Sequence, residues 1–353
     1  HLIIMERENG LRKLKILHKE SKAVKEINFN DPTYTAYLAL NPEYYVDRFY
    51  FGYSSMRTPD SLFSVVLSNG RKRLLKQAEV KGVFSSSDYK VEREFITARD
   101  GTKVPVSIVY KKNKFKKNEN PIFLYGYGSY GNSIDAGFSS SRLSLLDRGF
   151  IFAIAHVRGG QELGRSWYED GKIFNKLNTF YDFIDVTKGL VNKGYGNKDR
   201  IYAGGGSAGG LLMGAIVNME PNLYKGIISN VPFVDVITTM SDPSIPLTTG
   251  EYSEWGNPDI KEEFEYIMQY SPYDNISEQE YPSILVTAGL WDSQVQYYEP
   301  AKYVAKLRDY NKGKNPILMK VNMTAGHSGV SGRFESLKEL AMEYAFLLRL
   351  DSN

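Results

Sequence analysis

The feature that most constrains the fold is an alternation of short apolar segments with amphipathic ones, which begins near residue 98 and continues past residue 340. The apolar segments have the length of strands, and several are apolar almost throughout, as in a sheet covered on both faces. The predicted strands are Val104–Tyr110, Ile122–Tyr125, Phe150–Ala155, Arg200–Ala203, Gly226–Asn230, Ser283–Ala288 and Ile317–Val321. This alternation predicts a mostly parallel, doubly wound α/β sheet.

Two of the amphipathic segments have the three- and four-residue spacing of helices with a single apolar face. Their apolar positions are Phe180, Phe183, Ile184, Leu190 and Val191 in one segment, and Phe334, Leu337, Leu340, Ala341, Tyr344, Ala345 and Leu348 in the other. We predict one helix through each set.

Residues 1–80 have a different pattern, which is typical of antiparallel β-structure. Asn9-Gly10 and Asn69-Gly70 each separate two apolar segments, and Asn-Gly favours a hairpin because both central residues of a type I′ turn need positive φ. The two hairpins resemble successive blades of a repeat, but a β-propeller closes only with at least about four blades. We therefore expect residues 1–80 to be the last blades of an incomplete propeller and residues 81–353 to be a second domain. The alternative is a small, self-contained β-subdomain.

The composition of the 353 residues argues against several classes of protein. Forty-four Lys and Arg against 41 Asp and Glu give a net charge of +3, and this balance argues against a dedicated nucleic-acid binder. No apolar run approaches the roughly 18 residues of a membrane helix, so we expect no membrane partner. The chain has no cysteine, which excludes disulfides and cysteine zinc sites and fits a reducing, cytoplasmic location.

A glycine-rich turn between a predicted strand and a predicted helix carries the clearest chemical signal. Gly205-Gly206-Ser207-Ala208-Gly209 fits G-x-S-x-G, which presents a nucleophilic serine on a sharp strand-to-helix turn. The Ala208 amide would then lie at a helix start, where it can stabilise an oxyanion. The same glycines also fit the dinucleotide motif G-x-G-x-x-G, but the acidic residue that this motif needs after the next strand is missing. The nucleophile elbow is therefore favoured.

A nucleophilic serine needs a base and an acid that orients the base, and α/β-hydrolases place them in the chain order Ser, Asp or Glu, His. His327 is the only histidine after Ser207 and lies in a loop bracketed by glycines. Of the aspartates between the two, Asp292 alone follows a predicted buried strand, where open α/β sheets build their sites. We predict Ser207 as nucleophile, His327 as base and Asp292 as the orienting acid. No metal or organic cofactor is implied.

Five segments, in this order and spacing, resemble the motifs of the prolyl oligopeptidase family of serine peptidases, and most closely those of its oligopeptidase B branch. They are Leu124–Gly128, His156–Gly160, Gly205–Gly210, Gly289–Asp292 and Ala325–His327. The resemblance implies an α/β-hydrolase domain capped by a seven-bladed β-propeller that restricts access to short peptides. Only the last blades of that propeller would be present here, so the upstream propeller segment is an expected partner. The resemblance also implies that the Tyr127 hydroxyl completes the oxyanion hole beside the Ala208 amide.

The resemblance further implies a specificity for basic residues. Glu251 falls where prolyl-cleaving members carry an indole that stacks on the P1 proline, and Gln294 falls where they carry an arginine. A carboxylate in a partly desolvated pocket favours a cationic P1 side chain, which implies cleavage after Arg or Lys. The branch commonly has a second Glu where this chain has Ser253, and an Asp-x-Asp pair for a basic P2 residue. Here that pair is Asp135 and Gly137, so we expect a weaker preference for paired basic residues.

Other functions stay open on the sequence alone. A prolyl-type oligopeptidase or an esterase of the same fold would share the three catalytic residues, and an esterase would need no acidic pocket. Asp135 and Glu251 would then be plain surface carboxylates. A non-catalytic binding protein would typically have lost one of the three residues, and a dinucleotide-binding protein is the most distant alternative. The expected substrates are short peptides with basic residues.

Overall fold

The structure, a computed structural model, describes residues 1–352 without the side chain of Arg333. Two antiparallel sheets lie within the first 77 residues, and an eight-stranded mixed sheet follows. The first sheet contains β1 (Leu2–Glu8), β2 (Leu11–Leu17) and β3 (Val24–Glu26). The second contains β4 (Tyr34–Leu38), β5 (Arg48–Ser55), β6 (Ser61–Val66) and β7 (Lys72–Gln77).

Both hairpins predicted from Asn-Gly are confirmed. β1 pairs antiparallel with β2, and the turn between them places Asn9 at φ 51° and Gly10 at φ 81°. β6 pairs antiparallel with β7, and Gly70 has φ 70°. The two small sheets share an apolar core, in which Leu14 and Phe51 are fully buried.

The large sheet has the strand order β15-β14-β13-β12-β10-β11-β9-β8. Its strands are β8 (Tyr89–Thr97), β9 (Lys103–Lys111), β10 (Ile122–Tyr125), β11 (Ile151–Ala155), β12 (Ile201–Gly206), β13 (Gly226–Asn230), β14 (Ser283–Gly289) and β15 (Ile317–Asn322). Strands β10 to β15 run parallel, and β8 and β9 are antiparallel additions at one edge. All seven predicted strands are present, and the predicted α/β sheet is confirmed.

Helices cover both faces of this sheet. They are α1 (Leu143–Leu146), α2 (Arg165–Glu169), α3 (Leu177–Asn192), α4 (Ala208–Met219), α5 (Val236–Met240), α6 (Tyr252–Trp255), α7 (Lys261–Met268), α8 (Tyr298–Tyr310) and α9 (Arg333–Asp351). Neighbouring residues of one strand contribute to opposite apolar clusters: Leu124 packs into the larger cluster and Phe123 into the smaller. Of the helices in residues 1–352, none is long and apolar enough to span a bilayer.

Polar contacts join the small sheets to the large one. Buried Thr33 Oγ1 lies 2.6 Å from Ser107 Oγ of β9, and the Phe138 amide donates to Ser54 Oγ at 3.0 Å. Arg93 of β8 donates to the carbonyl of Asn9 at 2.6 Å. The β1–β2 hairpin is thus held at its turn by the large sheet.

Candidate active site

The strand-to-helix turn predicted from G-x-S-x-G is present between β12 and α4. Ser207 has φ 57° and ψ −118°, a backbone conformation that is uncommon and strained for a residue other than glycine. Its amide donates to the Asn230 carbonyl at 2.8 Å, and its carbonyl accepts from the Gly210 amide at 2.8 Å. A Cβ on Gly205 would lie 2.4 Å from the Gly209 carbonyl oxygen, so the turn closes only with glycine at position 205. The strand-to-helix backbone therefore presents Ser207 at the carboxyl edge of the sheet.

Asp292 and His327 are in direct contact at the same edge. Asp292 follows β14, His327 follows β15, and His327 Nδ1 lies 2.7 Å from Asp292 Oδ2. Asp292 Oδ1 accepts from the amides of Gln294 at 2.8 Å and Val295 at 2.9 Å. The side chain of Asp292 is 1% exposed and that of His327 is 15% exposed. A buried carboxylate thus faces an imidazole that reaches solvent.

The charge state of Asp292 follows from these contacts. Burial alone would raise the pKa of Asp292, but the hydrogen bonds from His327 and from the Val295 and Gln294 amides outweigh it and hold the pKa below its ordinary value. An ionised carboxylate only accepts hydrogen bonds, so Nδ1 of His327 carries the proton. Nε2 is then left free to accept a proton from a nucleophile.

Ser207 and His327 line different openings of the structure. Ser207 lines a small cleft together with Tyr130, Glu251 and Val295, while His327 lines a larger cavity of about 480 Å³. Within residues 1–352, the Ser207 hydroxyl has no hydrogen-bond partner. The structure therefore joins Asp292 to His327 and does not join Ser207 to His327 by a hydrogen bond.

The two groups predicted to form an oxyanion hole flank the elbow. Ala208 is the first residue of α4, and its amide has no acceptor among the described residues. Tyr127 follows β10, and its Cα lies 3.4 Å from the position that a Cβ on Gly209 would take. Burial, with smaller contributions from Tyr125 and the charges of Glu254 and Glu251, raises the pKa of Tyr127 to about 12. The Tyr127 hydroxyl is therefore protonated and able to donate at neutral pH.

Glu251 lies in the same cleft as Ser207. Its Oε2 accepts from the Tyr130 hydroxyl at 2.8 Å and from Trp255 Nε1 at 2.7 Å. The Tyr130 ring packs edge-on against Trp255, with centroids 5.5 Å apart and an interplanar angle of 84°. Two donors thus hold one carboxylate oxygen, and Oε1 has no partner among residues 1–352.

Comparison with known proteins assigns the family. Residues 136–352 match the prolyl oligopeptidase family, and residues 1–78 match the prolyl oligopeptidase N-terminal beta-propeller domain. The chain belongs to the prolyl oligopeptidase family. The predicted resemblance and the predicted α/β-hydrolase fold with a propeller segment are therefore confirmed.

Individual known proteins are similar over nearly all of this chain. Dipeptidyl aminopeptidase BI of Pseudoxanthomonas mexicana is 52% identical over 98% of this chain and 48% of its own length. Protease 2 of Moraxella lacunata is 46% identical over 98% of this chain and 50% of its own length. The structure of oligopeptidase B from Leishmania major has a TM-score of 0.93 and 44% identity, over 99% of this chain and 50% of that one. The chain spans about half the length of the curated relatives it matches.

The predicted P2 acid of this family member lies in an ion-pair cluster. Asp135 Oδ1 lies 2.8 Å from Arg7 Nη1, and Asp135 Oδ2 lies 2.8 Å from Arg12 Nη2. Arg7 belongs to β1 and Arg12 to β2, so both partners come from the propeller segment. Asp135 is not among the residues described as lining the Ser207 cleft. Glu251 thus lies in the same cleft as Ser207. Both carboxylate oxygens of Asp135 are instead paired with Arg7 and Arg12.

Sequence reasoning missed Lys176, which supports the loop after Tyr127. Its side chain is buried and donates to the Gly128 carbonyl at 2.6 Å and to Ser129 Oγ at 2.8 Å. Its ammonium also lies 5.1 Å from the ring centroid of Trp255. Burial lowers the pKa of Lys176 to about 8, and the charge of Glu254 opposes this shift. A lone lysine before a helix carries no sequence signal, because only the tertiary contacts show that it is buried.

Proposed function

We propose that this chain is a serine peptidase that hydrolyses short peptides after Arg or Lys through an acyl-enzyme on Ser207. The observation that carries the proposal is the buried Asp292–His327 pair at the sheet edge that also presents Ser207 on a strained turn. The family assignment supports it. Two relatives named for peptidase activity support it as well, since each is at least 46% identical to this chain.

The proposed reaction begins when the hydroxyl oxygen of Ser207 attacks the scissile carbonyl carbon and Nε2 of His327 takes the hydroxyl proton. The carbonyl oxygen becomes an oxyanion, which accepts hydrogen bonds from the Tyr127 hydroxyl and the Ala208 amide. Asp292 stabilises the imidazolium. Collapse of the intermediate breaks the C–N bond, and His327 passes its proton to the leaving amine. Water then cleaves the acyl-enzyme by the same steps.

The contact between Ser207 and His327 is proposed to form when substrate binds. Hydrogen bonds of catalytic groups are often long in the free enzyme and tighten in the complex with substrate. His327 lies in a loop between Gly326 and Gly329, and Gly329 has φ 75°. Such a loop has the conformational freedom that a small movement of the imidazole requires.

Glu251 supports the proposed preference for a basic P1 side chain. Tyr130 and Trp255 hold Oε2, so the substrate cation would meet Oε1 as a charge-assisted partner. The cleft holds only about 30 Å³, so entry of an Arg side chain requires its wall to move. Leu247 forms part of that wall, has φ 77° and is 52% exposed. We propose that Leu247 is the wall residue that moves.

The proposal is tested by measuring kcat/KM on matched amides with Arg, Lys, Pro and Phe at P1. We expect Arg and Lys to be preferred, and Glu251→Gln to reduce kcat/KM for Arg by about 10²-fold while the Phe amide changes little, because an unpaired buried cation is costly. Ser207→Ala should abolish turnover of all four. An unchanged Arg preference in Glu251→Gln would remove Glu251 from the P1 site.

The test should include Arg amides with free and with blocked N-termini. The reason is that a relative 52% identical to this chain is named a dipeptidyl aminopeptidase. Turnover of dipeptide amides only when the α-amine is free would indicate aminopeptidase action. Equal turnover of blocked peptides would indicate endopeptidase action.

A further inference from the structure

Asn230, the last residue of β13, lies against the nucleophile elbow. It is paired in register with Gly206, and its carbonyl accepts the Ser207 amide at 2.8 Å. A Cβ built on Gly206 would lie 3.5 Å from Asn230 Cβ. Asn230 is thus the residue that accepts the Ser207 amide and helps to hold the backbone of Ser207 in place.

Both ends of the Asn230 side chain are themselves held. Its Oδ1 accepts from Thr287 Oγ1 at 2.9 Å, and its Nδ2 donates to Glu343 Oε1 at 3.0 Å. Thr287 belongs to β14 and Glu343 to α9. The side chain therefore ties β13, the strand beside the elbow strand β12, to β14 and to the last helix, α9.

Asn230 lies between strained backbone positions. Ser207, its hydrogen-bond partner, has φ 57°, and Val231, its neighbour in sequence, has φ 40°. A positive φ is a marked outlier for a β-branched residue such as valine. The Val231 amide donates to the Thr287 carbonyl at 2.9 Å. Strained conformations persist only where surrounding contacts over-determine them, and the contacts of Asn230 are part of that constraint.

Glu343 is a partly buried titratable group that the proposed mechanism does not use. It lines the same cavity of about 480 Å³ as Asn230 and His327. Burial raises the pKa of Glu343 to about 7, the hydrogen bond from Asn230 lowers it, and the charge of Glu339 raises it. Glu343 therefore changes charge near neutral pH.

The charged and titratable side chains that line this cavity come from α9, β15 and the loop after β15. They are Glu343, Glu335, Lys338, Glu339, Lys320 and His327. Glu335 is paired with Lys338 at 2.7 Å, and Glu339 accepts from Asn322 at 2.7 Å. Glu343 is the carboxylate of this set that contacts the Asn230 side chain.

We propose that Asn230 and Glu343 are positioning residues for the nucleophile. The Glu343 carboxylate orients the Asn230 amide, and the Asn230 backbone then holds Ser207 in its strained turn. Neither residue touches the reacting atoms. The inference rests on the proposed function and adds to it a series of contacts that runs from Glu343 in α9 through Asn230 to Ser207.

The inference is tested with Glu343→Ala and Glu343→Gln in the same 353-residue chain, with Glu335→Gln as the matched control in the same cavity. The readouts are kcat and KM on an Arg amide and the rate at which a fluorophosphonate modifies Ser207. We expect Glu343→Ala to lower kcat and the labelling rate about 10-fold with KM within about twofold, because a misplaced nucleophile loses reactivity rather than substrate affinity. Glu343→Gln should keep most activity, because its amide oxygen can still accept from Asn230.

The ratio of the wild-type rate to the Glu343→Gln rate gives a second readout, because pH effects common to both proteins cancel in it. We expect this ratio to fall from pH 8 to pH 6 as Glu343 is protonated and loses its charge-assisted bond. A folded Glu343→Ala with wild-type kcat and labelling rate would overturn the inference. If Glu343→Ala does not fold, a pH-independent ratio overturns it. Failure of Ser207 to be labelled in the wild type would instead overturn the proposed function, and the inference with it.

Discussion

At the scale of single residues, the hydroxyl of Tyr127 is the group whose role can be separated most cleanly from its packing. Its ring is partly buried beside α4, and its pKa of about 12 keeps the proton in place at neutral pH. Tyr127→Phe preserves the ring and removes one donor from the proposed oxyanion hole. We expect kcat to fall by about 10²–10³ with little change in KM, measured by steady-state kinetics on an Arg amide.

Tyr125 provides the matched control for this prediction. It ends β10 two residues earlier, is partly buried like Tyr127, and burial raises its pKa as it does for Tyr127. Tyr125→Phe should leave kcat within about twofold. If Tyr127→Phe were as active as Tyr125→Phe, the oxyanion would have to be stabilised by other donors.

The sequence predicted the placement of residues where that placement depends on local chain geometry. The turn at Ser207 was predictable because G-x-S-x-G specifies it through residues close in sequence. The contact of Asp292 with His327 was predictable because each follows a predicted strand, and parallel strands end at one edge of the sheet. Asn230 and Lys176 could not be found, because what distinguishes them is contact with residues distant in sequence.

At the scale of secondary-structure elements, every strand of the large sheet except β8 was predicted from its apolar pattern. β8 was not predicted, since Lys90, Glu92, Arg93 and Glu94 interrupt its apolar pattern. Such a sequence suits an edge strand with one partner, and β8 pairs only with β9 in the large sheet. The hydrophobic pattern therefore located β9 to β15, including the edge strand β15, but not the charged edge strand β8.

The last helix shows a second limit of periodicity. α9 forms as predicted, but Phe334 and Leu337 of its predicted apolar face are 73% and 48% exposed, whereas Leu347 is fully buried. The C-terminal half of α9 packs on the sheet, and Glu339 and Glu343 line the open cavity beside His327. The residue spacing predicted the helix, but which of its apolar side chains are buried depends on the neighbouring elements.

The β1–β2 hairpin gives a prediction at this scale. Both carboxylate oxygens of Asp135 are held by Arg7 and Arg12, whose side chains are 20% and 33% exposed. Asp135→Asn keeps the shape and removes the charge, so we expect the free energy of unfolding in urea to fall by about 1–2 kcal/mol. The same variant should change the preference for a basic P2 residue by less than about twofold.

A double-mutant cycle with Arg12→Gln controls for effects unrelated to the pair. The two losses of stability should be less than additive, because each substitution breaks the same ion pair. Unchanged stability together with a lost P2 preference would mean that Asp135 binds substrate rather than the hairpin.

At the scale of the whole molecule, the pH dependence of stability reflects a buried acid near the site. Glu299 is 1% exposed and accepts from the Val234 amide at 2.6 Å, the Asp235 amide at 2.8 Å and Thr239 Oγ1 at 2.8 Å. Burial raises the pKa of Glu299 to about 7, although these hydrogen bonds oppose the shift. The folded state therefore holds a proton that the unfolded chain releases near pH 4.3.

The sign of the effect follows from that raised pKa. The stabilisation by protonated Glu299 is complete below about pH 4.3 and is lost as the pH rises through 7. We expect the stability of the wild type relative to Glu299→Gln to fall by about 2–4 kcal/mol between pH 4.5 and 7.5, measured by urea unfolding. Glu343 titrates in both proteins and cancels in the difference. A difference that stays constant over this range would mean that Glu299 is ionised throughout.

The most direct test of the central claim is covalent labelling of the wild type, Ser207→Ala and Asp292→Asn with a fluorophosphonate, followed by peptide mapping by mass spectrometry. The chain has no cysteine, so no thiol competes for the reagent. We predict one adduct in the wild type, located on Ser207, absent from Ser207→Ala and formed far more slowly in Asp292→Asn. An unmodified wild type, or equal labelling of wild type and Ser207→Ala, would contradict the assignment of Ser207, His327 and Asp292 to one hydrolytic centre.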